Sequence, residues 1–304
     1  MEIFEVPVQG FCGGVNQAIR LAEKIVSEHP GEKITVLGSL VHNSFVNSHL
    51  EAQGLHILEA KGKTRLELLD QIDDGLVIFT AHGVSNAVRE KAREKGMVCI
   101  DASCPYVLST QKLIAQKRKE GYTLFYIGIK AHPEAEAAMD CRLESDAPSN
   151  PSERPAFYLV ETEEDIPEGV TGKIFVTNQT TMSVSGLKDL FDRIAQKYPQ
   201  AEFGSEICNA TRLRQQAVMN LKDQGYDLLV VIGDPKSNNT RKLAQTGLEA
   251  GIPHVLQIES ASGLDGFDFA RIQKVAVTSG ASTPEFLKNE TIERLHQIDQ
   301  GLNK

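Results

Sequence analysis

Three of the five cysteines, Cys12, Cys104 and Cys208, are separated by 92 and 104 residues, each close to a third of the 304-residue chain. Each opens onto an amphipathic helical pattern, then an apolar strand, then a polar tip, which is the mark of an internal repeat. Three thiolates cannot complete a structural zinc site or the usual four-cysteine cluster. They can hold three irons of a 4Fe-4S cubane, one per chain, and leave the fourth iron open as a Lewis acid that also delivers electrons. No CxxC pair occurs, which argues against a zinc ribbon, and an odd cysteine count in a reducing compartment does not suggest a disulfide framework. Cys99, in the apolar run Met97-Val98-Cys99-Ile100, is expected to be core, and Cys141, ahead of the Pro-rich loop 147–155, to be incidental.

The polar tips carry the second half of a reactive constellation. Six apolar strands end in His42, in His82, in His132 with Glu134, in Thr180, in Ser237 with Asn238 and Asn239, and in Ser282. Imidazoles, hydroxyls and amides of this kind suit a multi-acceptor anion such as a diphosphate, and helix starts behind them would add N–H donors. Neither GxxxxGK[ST] nor GxGxxG is present, so a nucleoside triphosphate or a dinucleotide is disfavoured. In His132-Pro133-Glu134 a carboxyl stands two residues from an imidazole. Kept dry beside a substrate anion, it would hold its proton to higher pH and serve as an acid. His29, His49, His56, His254 and His296 fall outside the pattern and are assigned no catalytic role.

Positioning these groups needs a repeated scaffold. Helical periodicity over 15–27, 107–120 and 210–224 leads into strands at 33–38, 122–128 and 226–233, and second strands follow at 76–80, 173–177 and 274–278. Near-continuous apolar strands alternating with amphipathic helices are the pattern of parallel sheets covered on both faces. The expectation is an α/β fold of three small domains, 13–103, 104–206 and 207–290, with terminal segments 1–12 and 291–304. Arranged as a pseudo-threefold trefoil, they would bring all six tips under the three cysteines, since open parallel sheets bind ligands beyond their carboxyl ends.

Composition narrows the partners. A net charge of −9 leaves no broad basic surface for nucleic acid, and Lys117-Arg118-Lys119 is expected to be a solvated helix end. No run of about 18 apolar residues suggests a membrane span, and Met1–Glu5 lacks a signal-peptide start, so a cytoplasmic enzyme without membrane or nucleic-acid partners is expected.

The ordered motifs Gly10-Phe11-Cys12, Val41-His42-Asn43, Ala81-His82-Gly83-Val84-Ser85, Asp101-Ala102-Ser103-Cys104-Pro105, His132-Pro133-Glu134, Gln179-Thr180-Thr181, Ser237-Asn238-Asn239 and Gly280-Ala281-Ser282-Thr283-Pro284 span nearly the whole chain. Together they resemble the LytB family of 4-hydroxy-3-methylbut-2-enyl diphosphate reductases, the last enzymes of the non-mevalonate isoprenoid pathway. The resemblance implies a trefoil of three α/β domains around a central iron-sulfur cluster, with Cys12, Cys104 and Cys208 as ligands. It implies diphosphate binding by His42, His82, Ser237, Asn239 and Ser282, with Asn238 in the same tip, orientation of the hydroxyl by His132 and Thr180, and protonation by Glu134. Two electrons from a ferredoxin or flavodoxin type donor would expel water and give isopentenyl and dimethylallyl diphosphates. Asn238 stands where the family more often has a second serine, and Ala131 and Ala137 replace glycines that commonly flank His-Pro-Glu. Two other readings share parts of the pattern: a cluster-dependent dehydratase or condensing enzyme resembling quinolinate synthase, and an iron-sulfur or zinc sensor that would not need Glu134.

Overall fold

The computed structural model describes residues 1–142 and 155–302, so the Pro-rich loop at 147–155 lies almost wholly outside the described residues. The chain runs β1 (Glu2–Glu5), α1 (Gly13–Glu28), β2 (Ile34–Leu37), α2 (Ser44–Ala52), β3 (Leu55–Leu58), α3 (Arg65–Leu69), β4 (Leu76–Phe79), α4 (Asn86–Glu94) and β5 (Val98–Asp101). It continues through α5 (Pro105–Lys119), β6 (Thr123–Ile127), α6 (Pro133–Met139), β7 (Phe157–Val160), β8 (Ile174–Asn178), α7 (Val184–Lys197) and β9 (Glu202–Phe203). Last come α8 (Asn209–Met219), β10 (Leu228–Ile232), α9 (Asn238–Glu249), β11 (His254–Ile258), β12 (Lys274–Ser279) and α10 (Glu285–Leu302).

These strands form three four-stranded sheets, ordered β3-β2-β4-β5, β7-β6-β8-β9 and β11-β10-β12-β1, and every pairing is parallel. The order is the same each time, so the repeat expected from the cysteine spacing is a repeat of topology. In the third sheet the fourth place is filled by the chain's own beginning, with Glu2 opposite Lys274 and Glu5 opposite Val277. Residues 1–12, expected as a terminal segment, therefore supply a strand, and α10 packs Leu287 and Leu295 into the core of the same sheet.

Burial explains which strands were readable. β2, β4, β6, β8 and β10 lie inside their sheets, where both faces are covered, and are almost entirely buried, β4 and β10 with apolar residues throughout. The outer strands β1, β5 and β9 are short and largely exposed. That corrects one expectation. Cys99 sits on the outer strand β5 and is exposed, whereas Cys141 is 4% exposed, packs with Ile114, Tyr122 and Leu124, and donates to the Ala137 carbonyl at 3.2 Å. Burial pushes the Cys141 thiol up to about 12, so it stays a neutral core group.

The helices begin where capping permits. Pro105 opens α5 and Pro133 opens α6 at positions where no helical N–H is lost. Ser85, Ser183 and Ser237 each accept from the backbone N–H three residues on. The basic run closing α5 is engaged locally: Lys117 reaches Glu202 at 2.9 Å and Arg118 donates to the Met139 carbonyl at 2.8 Å.

The chain divides into two compact units. One comprises Met1–Asn16, His42–Ser48 and Cys208–Lys304 and carries the third sheet; the other comprises Gln17–Val41 and His49–Ile207 and carries the first two. Among the described residues no helix is long and apolar enough to cross a membrane.

Candidate active site

In each sheet the strand order reverses between two adjacent strands, β2/β4, β6/β8 and β10/β12, and ligands of open parallel sheets gather beyond such a switch point. The expected residues follow those strands. His42 and His82 come after β2 and β4, His132 with Glu134 and Thr180 after β6 and β8, Ser237 and Ser282 after β10 and β12. The cysteines obey a second rule invisible in the sequence: Cys104, Cys208 and Cys12 follow the fourth strands β5, β9 and β1. The Cys104 amide donates to Ala81 and the Cys12 amide to Ala281, each at 3.0 Å, so both cysteines are tied to the tip of a neighbouring strand.

The unit holding the third sheet collects Cys12, His42, Cys208, Ser237, Asn238, Asn239 and Ser282. Cys12 and Cys208 are half-buried at helix starts, and the Val15 N–H points at the Cys12 sulfur at 3.5 Å. Cys208 Sγ lies 3.2 Å from Thr211 Oγ1, which in turn accepts from Asn239 Nδ2 at 3.4 Å, linking the cysteine to the tip of β10. Asn239 Oδ1 is buried without a partner among the described residues, an exceptional state for an amide oxygen. Ser237 caps α9 through Thr240 N, and Ser282 donates to the His42 carbonyl at 2.8 Å. Ser237 keeps a proton to give a ligand; Ser282 must turn from His42 to give its own.

The other unit collects His82, Cys104, His132, Glu134 and Thr180. Glu134 is 3% exposed, with Oε1 accepting from Thr180 N at 2.7 Å and Oε2 bonded to Thr180 Oγ1 at 3.0 Å. Burial pushes its pKa up to about 7, against the opposing pull of the Thr180 amide and hydroxyl and of the nearby Tyr126 hydroxyl. His132 caps α6 by accepting Glu134 N at Nδ1, which puts the proton of a neutral ring on Nε2. The His82 and His132 rings meet edge to face at 5.6 Å.

Ala131, one of the residues standing in for a glycine, has φ 59°. A left-handed alanine costs roughly 1–2 kcal/mol, partly offset by the smaller entropy an alanine loses on folding. Ala131→Gly should therefore raise stability by about 0.5–1 kcal/mol, read as a higher urea midpoint with unchanged slope. A lower midpoint would show that the backbone is not strained there.

Three residues of these sites escaped the sequence reading. Tyr126 is a fully buried strand residue whose hydroxyl lies near enough to Glu134 for each to shift the other's titration. Thr211 and Arg214 are buried on α8, and a buried arginine on a helix otherwise covering its core with Ala217 and Val218 is the signal that could have found it. Five cysteines and no disulfide leave thiols for metal. Among the described residues no three His, Cys, Asp or Glu side chains gather as a site for one metal ion. A cubane makes no such demand, because each thiolate binds a different iron, and soft thiolates at helix starts are the donors it takes.

The family model described as LytB protein matches residues 3–296. A 4-hydroxy-3-methylbut-2-enyl diphosphate reductase of Bacillus licheniformis is 41% identical over 302 residues, covering 98% of this chain and 92% of the relative. One of Listeria monocytogenes is 43% identical over 303 residues, covering 98% and 87%. The solved E-1-hydroxy-2-methyl-but-2-enyl-4-diphosphate reductase of Plasmodium falciparum superposes with a TM-score of 0.84 at 27% identity, covering 96% of this chain and 87% of that one.

Proposed function

The chain belongs to the LytB protein family, and from that premise we propose that it reductively removes the hydroxyl of 4-hydroxy-3-methylbut-2-enyl diphosphate, giving isopentenyl and dimethylallyl diphosphates. Two electrons and two protons enter, the carbon–oxygen bond breaks, and water leaves. Cys12, Cys104 and Cys208 would hold one 4Fe-4S cluster, which when bound supplies an open iron for the substrate hydroxyl and passes on the electrons. A ferredoxin or flavodoxin type protein would deliver those electrons in the cytosol.

The observation that carries this reading is Glu134: a carboxyl sealed from water, able to stay protonated near neutrality and fixed by two bonds to Thr180. Thr180 donates to both carboxyl oxygens, its N–H to Oε1 and its Oγ1 to Oε2, which fixes the plane of the carboxyl group. Thr180 would thus aim the acid at the hydroxyl end, with His132 beside it. His42, His82, Ser237, Asn239 and Ser282 supply donors for the diphosphate, and Asn238, buried at the first turn of α9, lines the same tip.

The test is turnover of the allylic diphosphate by anaerobically reconstituted protein, with and without an external reductant. Product should form only with reductant, at two electrons per molecule. Turnover without reductant would point to a dehydratase, and none at all on an intact cluster would point to a sensor.

A further inference from the structure

Arg214 lies in the second turn of α8, the helix that Cys208 opens. Long helical side chains lean toward the helix start, which brings this guanidinium back to the first turn. There Nη1 donates to the Ala210 carbonyl at 3.0 Å, two residues beyond Cys208. Nη2 donates to the Gly10 carbonyl at 2.6 Å, two residues before Cys12. The same loop is fastened from its other side, Gly10 N donating to Ser279 Oγ at 2.9 Å and Cys12 N to Ala281 at 3.0 Å. One side chain thus joins two cysteine-bearing segments 196 positions apart in sequence.

The charge of Arg214 has no ordinary explanation. The residue is 3% exposed, its Nε is buried without a partner, and no carboxylate among the described residues acts on it. Burial pushes its pKa down, and the opposing pull comes from negative charge on the sulfurs of Cys12 and Cys208. A buried cation without a counter-charge is strongly destabilising. Thiolates that are bound to metal, and so permanently deprotonated, provide one.

On the cluster-bearing function proposed above, we infer that Arg214 is a positioning residue of the metal site: it sets Cys12 and Cys208 at the spacing a cluster needs and raises that cluster's reduction potential. The first effect comes from the two-pronged donation, which lysine cannot reproduce. The second comes from charge. Reduction adds an electron to the cluster, and a cation close enough to act on two of its ligands favours the more negative state.

The experiment uses the anaerobically reconstituted full-length protein and its Arg214→Lys and Arg214→Gln variants. Two readouts are taken: the rate of cluster loss to an iron chelator and the midpoint potential from a redox titration followed by absorbance. Partners that orient metal ligands are typically worth about 10–100-fold in metal retention. Arg214→Gln should lose its cluster faster by that order and show a more negative midpoint. Arg214→Lys should also lose it faster yet keep a midpoint close to the parent's, a split that damage to the fold alone would not produce. Should Arg214→Gln fail to fold, the lysine variant decides, and parental retention there overturns the positioning role. Parental retention and midpoint in a folded Arg214→Gln protein overturn the inference entirely. A parent protein that binds no 4Fe-4S cluster would instead overturn the proposed function on which the inference rests.

Discussion

Serine at Cys12, Cys104 or Cys208 should each strip most of the iron and sulfide from the anaerobically reconstituted protein and bring turnover to background. Ligand count sets the size of the effect. A cubane with three protein thiolates has none to spare, and a serine hydroxyl is a hard, weakly acidic donor where iron wants a soft thiolate. Second-sphere partners of metal ligands are commonly worth about 10–100-fold in affinity, and removal of a ligand itself should exceed that. The controls follow from the corrected cysteine positions. Cys99→Ser changes an exposed outer-strand residue and should leave both cluster and stability intact. Cys141→Ser puts a hydroxyl into a core site where the thiol already donates to Ala137, so it should retain the cluster with at most a modest loss of stability. Loss of iron at Cys99 equal to that at Cys104 would mean that the wrong triad has been chosen.

What could be read from the residues alone divides along physical lines. The inner strands announced themselves because burial on both faces leaves only apolar side chains, as in Leu228–Ile232 and Leu76–Phe79. Their tips were equally legible, since polar residues following such a strand have few structural uses, and six cases in register outweigh the bland explanation of any one. The outer strands were harder. Glu202–Phe203 is two residues long, and Glu2–Glu5 finds its partner at Lys274–Val277, a pairing for which no local pattern exists. For the same reason the cysteines looked like the start of each repeat, whereas structurally each also follows its fourth strand. Cys99 was assigned to the core because an apolar run was taken for an inner strand, while Cys141, expected to be incidental, is buried by α5 and β6, whose packing is not a local property. Arg214 and Tyr126 were missed because a single polar residue within a helix or strand carries no sign of what lies across from it. Their roles depend on partners far away in sequence, Gly10 for one and Glu134 for the other.

Glu134→Gln should leave the cluster and substrate affinity unchanged and slow turnover by about 100–10,000-fold, the usual worth of general acid catalysis. Glutamine keeps the volume of the side chain, and its amide oxygen can still accept from Thr180 N, so the loop should hold its shape. What it lacks is a transferable proton, and expelling hydroxide from carbon is poor chemistry without one. The parent enzyme should accordingly lose activity as pH rises through about 7, where the carboxyl gives up its proton. Stability makes the same group visible without substrate. Its folded value of about 7 lies above the ordinary 4.5, so between these limits the native state holds a proton that the unfolded chain has released. Stability must then fall with rising pH across that window, by on the order of 3 kcal/mol once both states are ionised. Glu134→Gln should remove that slope, so the difference in urea midpoint between variant and parent should widen in the variant's favour from pH 4.5 to pH 7. A variant that turns over at the parental rate with its cluster intact and reductant in excess would end the assignment, leaving His132 or a water held by Thr180 as the proton source. Lost activity with an unaltered pH dependence of stability would instead point to misplaced substrate, since only a buried carboxyl that titrates links the two measurements.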